Sequence, residues 1–195
     1  LLEQGLIGII DPVFAIEYDN RIGNVYRKNN GEHLITAPIQ DVDLDKLASK
    51  SGKLDYLHVS PVCKNFSSAK KGGEETELDI ITAKASAESL EKMKPYVFTV
   101  ENVARYNDSK AIKVITDTLD KLGYYWDLDV YDASDYGAAT KRKRMILRAR
   151  QNGPLPSISM QPGKVSWDSV VSDLINGLPK ADIPDWMQKR LDADN

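Results

Sequence analysis

The chain has 195 residues, 42% of them hydrophobic, enough for one domain with a sizeable buried core, or for one domain and a fragment. Lys and Arg total 26 against 29 Asp and Glu, a formal net charge of −3, which excludes a uniformly basic coat for nucleic acid and confines any polyanion site to a local patch. A single cysteine, Cys63, excludes an internal disulfide and a Cys-rich zinc centre, and with His33 and His58 the only imidazoles, no structural metal is expected. No apolar run reaches the roughly 20 residues of a membrane span and no charged-then-apolar leader opens the sequence, so the expected setting is a reducing, cytosol-like compartment. Leu1-Leu2-Glu3-Gln4-Gly5 reads as the last turn of a helix, and the whole as a piece of something longer.

Taken in chain order, Val13-Phe14-Ala15-Ile16 is a short apolar run between Asp11-Pro12 and the polar Glu17, Tyr18 and Asp19, which predicts a buried strand. A helix follows over about 20–28. Two further strands are expected over 53–59 and 96–100, the second nearly continuous in apolar character, as in a parallel sheet covered on both faces. A helix fills 76–94 between them. Over 109–122, Ile112, Ile115, Leu119 and Leu122 recur at helical spacing, with Asp108 or Ser109 as N-cap and Gly123 as the stop. Trp126, Leu128 and Val130 then alternate with Asp127 and Asp129 at the period of a half-exposed strand, and 144–148 adds another through Met145-Ile146-Leu147. Residues 151–164 read as a linker rich in Gly, Pro, Ser and Gln, and a last helix over 166–176 is capped by Ser166 and stopped by Gly177 and Pro179.

Strands alternating with helices predict an open, mostly parallel α/β sheet, whose ligands bind beyond the carboxyl ends of the strands. Four such ends carry polar chemistry: Glu17; the segment Ser60-Pro61-Val62-Cys63-Lys64-Asn65-Phe66-Ser67; Glu101-Asn102-Val103; and Asp135-Tyr136-Gly137 running on to Arg142 and Arg144. Singly, each has an ordinary structural explanation. A lone cysteine is most often an inert, buried small hydrophobe, an acid after a strand is usually a cap, and Lys141-Arg142-Lys143-Arg144 is most often a solvated basic face.

Together and in this order they are less ordinary. Pro-x-Cys-x-x-Phe-Ser after a strand, Glu-Asn-Val after the next, then Asp-Tyr-Gly followed by Arg-x-Arg opening a later strand resembles the cytosine-5 DNA methyltransferase family over about 11–150, with a fainter echo over 167–179. The spacings, 38 residues from Cys63 to Glu101 and 41 on to Arg142, leave room for one helix and one strand each. The resemblance implies the Rossmann-like, class I S-adenosylmethionine-dependent methyltransferase fold with helices on both faces of the sheet. The family's first strand and glycine-rich loop are missing, because the sequence opens where the following helix should be ending. It also implies a catalytic core over 1–150, and a linker and short helix over 151–195 leading toward a target-recognition domain.

What the resemblance implies for chemistry follows residue by residue. Cytosine C5 is too weak a nucleophile to accept a methyl group unaided, so a thiolate, matched by Cys63, adds to C6 and activates it. Glu101 matches the acid that donates to N3, and Arg144 the arginine directed at the base O2, with Arg142 positioning the loop. The base must leave the duplex, so the implied partner is double-stranded DNA with a flipped cytosine. For the cofactor S-adenosyl-L-methionine, Glu17 matches the acid on the ribose hydroxyls, Tyr18 lies beside the adenine and Ile39 covers its face. Relatives carry Asp directly before the position of Ile39; here Pro38 stands there, with Asp41 two residues beyond Ile39 as the substitute. Where relatives have proline directly before the cysteine, this chain has Val62, with Pro61, counted among the cofactor residues, one place earlier.

Residues 135–150 hold six basic residues and one acid, a local +5 able to meet DNA phosphate. A non-catalytic methyltransferase-like module binding nucleic acid or protein is the alternative reading, though such a module needs none of Cys63, Glu101 and Arg144. A tRNA-directed cytosine-5 methyltransferase of the same fold is another. A restriction-modification or phage-borne setting suits the family.

Overall fold

The computed structural model describes residues 9–62, 74–161, 163–175, 177 and 182–193. Cys63, the proposed nucleophile, lies outside the described residues. Strand β1 (Ala15–Glu17) is shorter than the apolar run suggested and includes Glu17 as its last residue. Helix α1 (Asn20–Asn30) begins where the Asp19 carboxyl accepts from the backbone of Arg21 at 2.7 Å, and ends at Gly31, whose φ of 98° suits glycine alone. Strand β2 (Leu34–Thr36) pairs parallel with β1 in the register Glu17↔Thr36.

The sequence reading missed β2 and the next helix, α2 (Leu44–Ser51). Both carry local signals. Leu34-Ile35-Thr36 is a short β-rich run, and Asp43 caps α2 by accepting from Lys46 N at 2.9 Å while Leu44 and Leu47 turn into the core. Three residues and two helical turns are too short for periodicity to register.

Strands β3 (Tyr56–Val59), β4 (Val97–Val103), β5 (Tyr125–Asp132) and β6 (Lys143–Arg150) form the main sheet in the spatial order β3-β4-β6-β5. β3 and β4 are parallel, and β6 lies antiparallel between β4 and β5. Three of the four strands thus run the same way, and the fourth is reversed because it returns from β5 as the second arm of a hairpin. β4 is longer than expected: Glu101, Asn102 and Val103 belong to the strand rather than to the loop after it.

One face of this sheet is the core. Leu57, Val59, Phe98, Val100, Met145, Leu147 and Ala149 alternate inward and meet helices α3 (Glu77–Met93) and α4 (Lys110–Leu122). α3 is lined with small residues, Thr82, Ala83, Ala85, Ser86, Ala87 and Ser89, all buried. Its serine hydroxyls are satisfied inside the helix, Ser86 donating to Thr82 O and Ser89 to Ala85 O, each at 2.8 Å, so the helix packs closely with both hydroxyls satisfied. Thr76 N and Oγ1 both donate to Asp79 Oδ2 at the start of α3. α4 starts as the sequence predicts: Ser109 Oγ accepts from Ile112 N at 3.0 Å. The Glu75 carboxylate adds bonds from Lys110 N and Ala111 N, placing negative charge at the positive end of the helix dipole. Gly123, with φ of 74°, ends it.

The chain divides into two compact units, Leu1–Asp132 with Arg142–Ser159, and Ala133–Lys141 with Met160–Asn195. Both sheets belong to the first. In the second, Gln161 N donates to Asp135 O at 3.0 Å, and helices α5 (Trp167–Ile175) and α6 (Asp185–Ala193) expose much apolar surface, including Trp167, Leu174 and Trp186. Among the described residues no helix is long and apolar enough to cross a membrane.

Candidate active site

The sheet face opposite the core is polar, and its register explains why. Tyr56, His58, Thr99, Glu101, Arg144 and Arg148 alternate with the inward core residues on β3, β4 and β6 and are half-buried. Because β6 runs antiparallel, its first residues lie beside the last residues of β4: Arg144 pairs with Val103, which shares a face with Glu101 two positions earlier. The Arg144 guanidinium accordingly reaches Glu101, Nε to Oε1 at 2.8 Å. From the other flank Ser60, just past the end of β3, donates its hydroxyl to Glu101 Oε2 at 3.1 Å. Residues 41 and 43 positions apart in the sequence thus meet on one carboxylate.

Asn102 points the opposite way, into the core, where only 2% of it is exposed. Its amide donates to Pro61 O at 3.1 Å and its oxygen accepts from Val103 N at 2.8 Å, so both halves of a buried amide are used. The backbone leading to Val62 and Cys63 is thereby tied to the strand that carries Glu101. The sequence reading noted the triplet but gave Asn102 no role; the signal was a polar amide in line with the inward, apolar Phe98 and Val100.

Below Ser60 on β3, His58 Nδ1 lies 2.9 Å from Thr99 Oγ1, which also bonds the Tyr56 hydroxyl at 2.7 Å. Burial pushes the His58 imidazole below its ordinary value near 6.5, only partly opposed by the negative charge of Glu101. The folded chain therefore keeps His58 neutral where the unfolded chain has taken up a proton. The stability this gives is full above about pH 6.5 and is lost as pH falls toward the folded value. Denaturant titrations at pH 7.5 and 5.5 are expected to show a smaller loss of stability in His58→Asn than in the unsubstituted protein; equal losses would remove His58 as a source of that acid sensitivity.

The other expected site residues lie elsewhere. Arg142 is exposed in the β5–β6 hairpin, its backbone N donating to Asp132 Oδ1 at 3.1 Å, and Lys141 and Lys143 beside it are exposed as well. Pro61 is buried. Glu17 ends β1, half-buried, with Oε1 accepting from Asp19 N at 2.9 Å; Tyr18 follows it, 54% exposed. Ile39 and Asp41 form a short 3₁₀ turn after β2. The cofactor candidates Glu17, Tyr18, Ile39 and Asp41 thus gather past the carboxyl ends of the parallel β1–β2 pair, whereas Glu101 and Arg144 sit on the four-stranded sheet. Among the described residues no group of three or more His, Cys, Asp or Glu is placed to hold a metal ion.

The sequence model of C-5 cytosine-specific DNA methylases matches residues 2–185. The chain belongs to that family. Among its relatives, the type II methyltransferase M1.HgaI of Avibacterium volantium is 25% identical over 184 residues, covering 85% of this chain and 51% of that protein. M.HaeII of Haemophilus aegyptius is 32% identical over 139 residues, covering 69% and 42%. The chain spans about half the length of the curated relatives it matches. Of solved structures, the Entamoeba histolytica methyltransferase EhMeth superposes with a TM-score of 0.68 at 19% identity, over 87% of this chain and 52% of that one. A DNA modification methyltransferase encoded within an E. coli prophage gives 0.64, also at 19%, over 88% and 49%. The methyltransferase fold expected from the sequence is therefore the fold of this family member, with the reversed strand β6 part of it.

Proposed function

We propose that the protein methylates DNA, transferring a methyl group to C5 of a flipped cytosine through a covalent adduct with Cys63. The observation that carries this reading is the Glu101–Arg144 pair at the carboxyl ends of β3 and β4, beside the backbone that leads through Pro61 and Val62 to Cys63. Membership of the family supports it independently.

The chemistry assigns each residue one task. The Cys63 thiolate adds to cytosine C6, forming a C–S bond and moving electron density onto C5. Glu101 donates to N3 as charge builds on the ring, and Arg144 stabilises the same charge from the side of O2. S-adenosyl-L-methionine, when bound, supplies an electrophilic sulfonium methyl group. Loss of the C5 proton to a water molecule then breaks the C–S bond and expels Cys63 as thiolate, N3 returns its proton to Glu101, and the aromatic ring is restored. Glu17 fits the ribose diol of that cofactor, because it presents a carboxylate at the carboxyl end of a parallel strand, where dinucleotide folds hold ribose hydroxyls. Tyr18, Ile39 and Asp41 past the same strand ends fit the adenine, with Pro61 completing the set. The exposed Lys141, Arg142 and Lys143 suit the phosphates flanking a flipped base in double-stranded DNA. Residues 1–150 carry the catalytic core in this reading and 151–195 lead toward target recognition, in a restriction-modification setting.

The test is an intact-mass measurement on the full-length protein with S-adenosylmethionine and a random-sequence duplex pool containing 5-fluorocytosine. Fluorine at C5 cannot leave as a proton does, so elimination of Cys63 is blocked. A protein–DNA adduct mapped to Cys63 is the expected result. Methylation without any adduct, or an adduct at another residue, would overturn the mechanism.

A further inference from the structure

We propose that Ser60 is a positioning residue for Glu101, holding one carboxylate oxygen while Arg144 holds the other, so that the acid is fixed in orientation before the base arrives. This inference rests on the reading of Glu101 as the group that meets cytosine N3. The geometry is a two-sided clamp. β3 and β4 are paired in the register Val59↔Val100, so Ser60, one residue further on, flanks Glu101 from the β3 side, while Arg144 flanks it from β6. Ser60 Oγ donates to Oε2 at 3.1 Å and Arg144 Nε lies 2.8 Å from Oε1. One donor would leave the carboxyl group free to turn about its terminal bond, which is a broad, soft torsion; donors on both oxygens fix its plane. Held on both sides in this way, the carboxyl group keeps its outer edge turned to the base, where in its protonated form it donates to N3.

Among the described residues nothing else accounts for Ser60: it is exposed and so has no packing duty, and it caps no described helix. The next polar side chain down β3, His58, is engaged with Thr99. Ser60, just past β3, is thus the side chain on that flank that hydrogen-bonds Glu101 among the described residues.

The experiment is single-turnover methyl transfer by the full-length protein, with cofactor binding and thermal melting measured on the same samples. Ser60→Ala is expected to lower the transfer rate about tenfold, the loss of one hydrogen bond to a charged group, with the KM for DNA, cofactor affinity and melting temperature nearly unchanged. Ser60→Thr, which keeps the hydroxyl, should restore most of the rate. In a Glu101→Gln background the Ser60→Ala effect should shrink toward nothing, since Ser60 acts through the carboxylate it holds. An unchanged rate in Ser60→Ala, or the same tenfold loss in both backgrounds, would overturn the proposal while leaving the role of Glu101 standing. A Glu101→Gln protein that transfers methyl groups at the full rate would instead overturn the reading of Glu101, and this inference with it.

Discussion

Replacing Cys63 by alanine is expected to reduce methyl transfer to below about one thousandth of the rate of the unsubstituted protein, because no other group then activates C5. A serine at the same position should do no better, since a hydroxyl is far less ionised than a thiol at neutral pH. The informative comparison is between turnover and binding. In the proposed mechanism Cys63 makes and breaks a bond to the base but does not hold the cofactor, so S-adenosylmethionine affinity should survive the substitution. Residual turnover at a tenth of the original rate would mean that Cys63 is not the nucleophile. Loss of cofactor binding together with turnover would point instead to a structural part for the thiol.

Glu101→Gln is the second large effect. The amide keeps the length and much of the shape of the side chain but cannot act as an acid toward N3, and general acid catalysis is worth roughly a hundredfold to ten-thousandfold. The rate of the chemical step is expected to fall within that range. The substitution also changes what Arg144 faces: a guanidinium paired with a carboxylate at 2.8 Å meets a neutral amide, and its charge, only a quarter exposed, loses its counterion. Some loss of thermal stability should accompany the loss of rate, and Glu101→Asp, which keeps the charge while shortening the arm, separates the two. A pronounced fall in rate with Glu101→Asp and intact stability locates the effect in geometry. An unchanged rate with Glu101→Gln would take Glu101 out of the catalytic set.

Much of the architecture was legible in the sequence because its long elements carry strong periodicity. α4 shows four apolar residues at helical spacing between a serine cap and a glycine stop, and the structure reproduces both ends. The strands around Val97–Val103 and Lys143–Arg150 were visible as apolar runs, although the end of β4 was placed too early because Glu101 and Asn102 look like loop residues. They are strand residues on opposite faces, one turned toward a polar surface and the other toward Pro61. Pairing was not legible. Nothing in the order of the elements says that β6 inserts between β4 and β5 in reverse, and that one fact brings Arg144 to Glu101. Ser60 stood in one of the four polar strand ends but received no role for a related reason: a serine after a strand is unremarkable until a partner 41 residues away is seen across the ladder. The family pattern pointed to Glu101 and Arg144 as a set, but the clamp around the carboxylate required coordinates.

The strand order β3-β4-β6-β5 also bears on how the chain reaches its native state during synthesis. Of the four strands described in this sheet β6 is the last to be made, and it takes an interior place, so β4 and β5 cannot be bridged until it has left the ribosome. Until then the inner borders of both strands present unpaired amides and carbonyls, the kind of border that recruits strands from other chains. β5 carries Asp127, Asp129 and Asp132, which burden any intermolecular pairing with repulsion between like charges until β6 arrives with Arg148 to pair with Asp127. A chain halted before residue 143 during synthesis would therefore hold Ser60 and Glu101 but neither the joined four-stranded sheet nor the arginine of the clamp, and the clamp and that sheet would be completed in one step.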